Sequence, residues 1–134
     1  MSNVEVALRL MDEIPSGRFS PELLHPEFTA WTITFGDLEG AAYLGALRRL
    51  AAVFSPPLRI EIVGVTDGGE RVAIEADSEG TLPDGSTYTN HYHFLFAFTD
   101  GRVSQIREYL DTAPIDRIRA AQQAQAAAQG VQAG

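Results

Sequence analysis

Cysteine is absent from the 134 residues, which removes disulfides, thiolate nucleophiles and Cys-ligated metals from consideration. Basic charge is scarce as well. Ten Lys plus Arg stand against eighteen Asp plus Glu, so the chain carries a net charge of −8 with a sequence pI near 4.7, and phosphate backbones are repelled. Nucleic acid is therefore not expected as a partner. No stretch reaches the roughly 20 apolar residues of a membrane span, and the N-terminal MSNVEVALRLMDEIP sets acids among its apolar residues with no basic leading segment. The expectation is a cytoplasmic, unexported protein with no membrane partner. A Ser-His-Asp order, a phosphate loop and a Gly-rich dinucleotide motif are also missing, so neither a hydrolase triad nor a nucleotide cofactor is expected.

Core material, by contrast, is plentiful. Hydrophobic residues make up 45% of a chain of one-domain length, enough to bury roughly two-thirds of its unfolded surface without staples. Val4, Ala7, Leu8, Met11 and Ile14 recur at helical spacing, with Asn3 as candidate N-cap and Pro15-Ser16-Gly17 as the stop. Ser20-Pro21-Glu22-Leu23-Leu24 reads as a cap and a short helical turn, broken at His25-Pro26. Phe28 to Phe35 is rich in aromatic and β-branched residues and is expected to be extended. Tyr43, Leu44, Leu47, Leu50, Ala51 and Phe54 then form one stripe of a predicted helix from Asp37 to Phe54, ended by Ser55-Pro56-Pro57.

From Leu58 onward the period changes from about 3.6 to 2, the sign of a sheet. Strands are expected over Leu58 to Val65, Arg71 to Thr81, Thr87 to Thr99 and Arg102 to Thr112, joined by turns at Thr66-Asp67-Gly68-Gly69, Leu82-Pro83-Asp84-Gly85-Ser86 and Asp100-Gly101. Helices followed by a meander give an α+β order. Residues 1–113 form the expected domain. The Ala- and Gln-rich tail of residues 114–134, whose large apolar residues are Ile115, Ile118 and Val131, is expected to begin as a helix and to fray beyond about residue 122, because it lacks a continuous apolar face.

Asp84-Gly85-Ser86-Thr87-Tyr88-Thr89-Asn90-His91-Tyr92, Asp100-Gly101-Arg102-Val103 and Glu108-Tyr109-Leu110-Asp111, preceded by Leu24-His25-Pro26-Glu27-Phe28 with Trp31, resemble the SnoaL-like branch of the nuclear transport factor 2 superfamily over roughly residues 4 to 113. The resemblance implies a cone-shaped, curved, mostly antiparallel sheet wrapped around N-terminal helices and enclosing a pocket, commonly dimeric through the sheet's outer face. Members include ketosteroid isomerases, polyketide cyclases, limonene-type epoxide hydrolases, dehydratases and non-catalytic association domains. Carried over residue by residue, the isomerases' oxyanion Asp and the cyclases' pocket His fall at Phe94, and the isomerases' general base falls near Trp31. The epoxide hydrolases' Arg-x-Asp pair and second Asp read here as Glu75-x-Asp77 and Glu108.

Glu75, Asp77 and Glu79 alternate along one strand face, about 6.6 Å apart, with Val72, Ile74 and Ala76 on the other. Acids on one face and aliphatics on the other describe either a solvated outer face or, within a cone, an acid-bearing cavity wall. Glu108 is the first candidate for acid/base work, because Ile106 and Leu110 flank it on its own face and an apolar setting raises a carboxyl pKa. Asp77 is the second candidate, as its partner. Asn90 and Tyr92 share a face with Phe94 and are expected to help bind a ligand, with Glu75, Trp31, Ile106 and Leu110. His91 and His93 project to the opposite face, and with no obvious third ligand a metal site is not expected.

Three readings follow. The first is a cofactor-free acid/base enzyme, an isomerase, cyclase, dehydratase or epoxide hydrolase, using Glu108 with Asp77 on a small apolar molecule. A non-catalytic binder of such a molecule is the second, and a protein-association module the third. A homodimer is expected in each case.

Overall fold

The computed structural model describes residues 1–133, with side chains described through residue 130. Helix α1 spans Asn3–Glu13, strand β1 Leu24–Thr32, β2 Gly36–Glu39 and α2 Gly40–Ala51. Strands β3 (Arg59–Asp67), β4 (Arg71–Thr81), β5 (Thr87–Thr99) and β6 (Arg102–Leu110) follow, and α3 covers Ile115–Ala133. The architecture is α+β: a curved, unclosed, mixed sheet of six strands in the order β2-β1-β6-β5-β4-β3. The last four strands form the expected meander. β1 pairs parallel to β6, which brings the first half of the chain beside the last strand.

Alternation sends Val72, Ile74, Ala76, Phe94, Phe96 and Ile106 to the inner face, where they pack against Val6, Leu10 and Met11 of α1 and Tyr43 and Leu47 of α2. A second apolar cluster joins Val53, Phe54, Leu58, Leu82 and Tyr88 to Ile118 of α3.

Three local expectations are corrected. The α1 cap is Ser2, which forms a capping box with Glu5, while Asn3 Nδ2 donates to Gly69 O at 2.8 Å and ties the helix to the β3–β4 turn. His25-Pro26 lies inside β1 instead of breaking the chain. Proline is tolerated there because the β1–β6 register shifts between Leu24 and Thr29 and β2 pairs only from Thr29 on, so no ladder bond needs its missing N–H. Asp37 to Glu39 pair with β1 before α2 begins at Gly40. Helix α3 is continuous to Ala133, with Gln125 Nε2 donating to Ala52 O at 3.1 Å. The side chain of Val131 and the terminal Gly134 lie outside the described residues. Among those residues, no helix is long and apolar enough to cross a membrane.

Candidate functional site

Strand parity decides which side chains can meet. Ile74 stands opposite Phe94 and Phe94 opposite Glu108, so the three share the inner face, and Thr32 stands beside Glu108 on the other flank. Ile106 and Leu110 lie on that face to either side of the acid. Above it sits α2. A Cβ on Gly40 would stand 2.7 Å from the Phe28 ring and carbonyl oxygen, so the bare glycine lets the helix start directly on β1. One turn further on, the buried Tyr43 hydroxyl donates to Glu108 Oε1 at 3.3 Å.

A cavity of about 100 Å³ opens beside this pair, between α2, the β1–β2 turn, β6 and the first turns of α3. Glu108 is half-buried and is its only acidic lining residue among those described. Burial among apolar neighbours pushes the Glu108 carboxyl from its ordinary 4.5 up to about 7, and the bond from Tyr43 pulls the other way. Burial, and then the adjacent Glu108, raises the Tyr43 phenol well above its usual value. Tyr43 therefore remains a hydroxyl donor at neutral pH while Glu108 divides between its two protonation states.

Further along the inner face, Ser78 Oγ donates to Tyr92 Oη at 2.9 Å and Asn90 Nδ2 donates to Tyr88 Oη at 2.8 Å, with the two phenol oxygens 3.2 Å apart. Asn90 also donates to Asp111 O and accepts from Asp111 N, both at 3.0 Å. This buried network fixes the end of β6 and leaves no described buried side-chain polar atom unpaired. Desolvation raises the phenols of both Tyr88 and Tyr92.

The candidate residues from the sequence thus separate into three groups. Glu108 and Leu110 line the cavity. Phe94, Ile106, Tyr92 and Asn90 share the inner face but are spent on core packing and the polar network. Asp77, Glu75 and Trp31 project from the outer face and are not brought to Glu108. Opposite parity along β4 is the reason, since the aliphatic residues Val72, Ile74 and Ala76 take the inner side. Asp77 Oδ1 lies 2.6 Å from His91 Nδ1 in an exposed pair. Trp31 packs 5.0 Å from Tyr109 with the Arg107 guanidinium 4.6 Å above its ring. No group of three metal-ligating side chains occurs among the described residues.

Sequence reasoning missed Tyr43, Thr32, Arg49, Ile118, Arg119 and Gln122, all of which line the cavity. Tyr43 had a signal, a polar tip within an apolar helical stripe. The α3 residues had none, because one buried isoleucine docks the helix without an apolar face.

The SnoaL-like domain family's sequence profile matches residues 18–106. Among solved structures, the chain is similar to a candidate SnoaL-like polyketide cyclase from Jannaschia sp. CCS1, at 26% identity over 84% of this chain and 90% of that one with a TM-score of 0.72. It is also similar to a candidate hydroxylase from Streptomyces galilaeus, at 16% identity over 87% and 83% of the two chains with a TM-score of 0.75. An LEH-like epoxide hydrolase from M. tuberculosis aligns at 14% identity over 87% of each chain with a TM-score of 0.67. The last two likenesses establish a shared fold. No curated protein matches the chain.

Proposed function

The chain belongs to the SnoaL-like family, and from that membership we propose that it is a cofactor-free acid/base enzyme acting on a small, largely apolar molecule held in the cavity beside Glu108. One observation carries the reading: a lone carboxyl on an apolar inner face, bonded by a buried phenol and raised toward neutrality. In its protonated form Glu108 gives a proton to a carbonyl or epoxide oxygen. Ionised, it takes one from a carbon beside a carbonyl or from an attacking water. Tyr43 is a positioning residue, orienting the carboxyl from α2. The sequence contains no lysine, so imine chemistry has no side-chain amine to use.

Conversion of ketone, lactone and epoxide probes by the wild type and Glu108→Gln tests the reading. A loss of at least about 100-fold in the variant is expected, whereas an unchanged rate would remove Glu108 from the chemistry. A non-catalytic binder is the second reading, favoured by the single carboxyl in the cavity now that Asp77 lies on the outer face; under it every bound probe is recovered unaltered. The outer-face cluster of Trp31, Arg107 and Tyr109 is proposed as the homodimer surface, for aromatic and Arg side chains suit an interface.

A further inference from the structure

We propose that the molecule taken by this cavity carries a carboxylate, held at the rim between Arg49 of α2 and Arg119 of α3, while its apolar part points inward to Glu108. The inference rests on the cavity being the ligand site and adds the chemical class of the ligand and its orientation.

Charge is the first argument. All ten basic residues of this chain of net charge −8 are arginines, and several are committed elsewhere. Arg59 pairs with Glu79 at 3.3 Å, Arg9 with Glu13 at 3.4 Å, Arg107 stacks on Trp31, and Arg117 Nη1 donates to Thr87 O at 2.9 Å. Two of the remainder converge on a mostly apolar cavity with a single acidic wall residue. Arg49 makes no ion pair or hydrogen bond among the described residues. Arg119 has only Asp116, at 3.8 Å with both side chains exposed, a contact worth little.

Local structure is the second argument. Gly45 sits buried in the middle of α2, a position where glycine is a poorer helix former than alanine. A Cβ there would lie 3.4 Å from Arg49 Nη1 and 3.7 Å from Arg48 Nη2. Both are ordinary van der Waals distances, so the Arg49 guanidinium lies back over Gly45 on the same helix whose Ala46 and Leu47 line the cavity. Guanidinium forks bind carboxylates in bidentate geometry. An anion at the rim avoids the like charge of ionised Glu108, so the apolar end must lead into the cavity. Because the two arginines come from different helices, the bound carboxylate also ties α3 to α2 over the site.

The test uses 4-phenylbutanoate and its neutral counterpart 4-phenylbutanamide, titrated at pH 7 into the full-length protein with methyl NMR shifts of Leu47, Leu110 and Ile118 as the readout. The carboxylate is expected to bind about tenfold tighter than the amide. The Arg49→Gln/Arg119→Gln variant is expected to bind both alike while its amide affinity stays within about threefold of the wild type. Amide binding at those methyls without a carboxylate preference, or a preference that survives the double substitution, overturns the arginine assignment and leaves the cavity reading standing. Shifts from neither probe overturn both.

Discussion

At the scale of single residues, Glu108 sets a pH dependence that can be read from stability alone. A carboxyl raised from 4.5 to about 7 in the folded state binds its proton more tightly there than in the unfolded chain. Its contribution is therefore fully present below pH 4.5 and is lost as pH rises through about 7, a change of roughly 3 kcal/mol. Glu108→Gln has no proton to lose. The difference in urea-unfolding free energy between variant and wild type is expected to grow by about that amount between pH 4 and pH 8 in favour of the variant; a flat difference would mean a solvated carboxyl. The same scale shows what the sequence disclosed. Ile106 and Leu110 flank Glu108 at spacing two, so its apolar setting was legible. Asp77 and Glu75 were legible as one face of β4 but not as the outer one, because which face turns inward depends on helices that the strand does not contain. Trp31 was misplaced by the same parity, since it stands opposite Arg107 and not Glu108.

Among elements, α3 departs most from its sequence. Alanine and glutamine favour a helix but supply no stripe to bury, and docking falls to Ile118, 4% exposed, and to the bonds of Arg117 to the β4–β5 turn and β5. Ile118→Ala is expected to cost about 2–4 kcal/mol by urea unfolding. A loss below about 0.5 kcal/mol would show that α3 does not seal the cavity. The meander was readable because Asp-Gly and Gly-Gly turns punctuate a strict period of two. β1 was readable only from Phe28 on and β2 not at all, since their pairing relies on the distant β6 and on a register shift that hides Pro26.

For the whole molecule, α+β order and the wrapped sheet followed from the change of period at Leu58 together with the resemblance of the strand motifs. Parallel insertion of β1 beside β6 then assembles a cavity from residues 32 to 122, which no local pattern announces. The outer face carries the proposed dimer. Trp31→Glu is expected to shift the mass in sedimentation equilibrium from dimer to monomer without changing the circular dichroism, whereas a monomeric wild type would remove that surface from the account. The acid/base reading of the cavity rests on one quantity, the proton affinity of Glu108. Carboxyl-carbon NMR titration of Glu108, assigned with Glu108→Gln, measures it directly. The account expects a midpoint near 7 that moves higher in Tyr43→Phe, where the stabilising hydroxyl is gone. A midpoint at or below 4.5, the ordinary glutamate value, would contradict it.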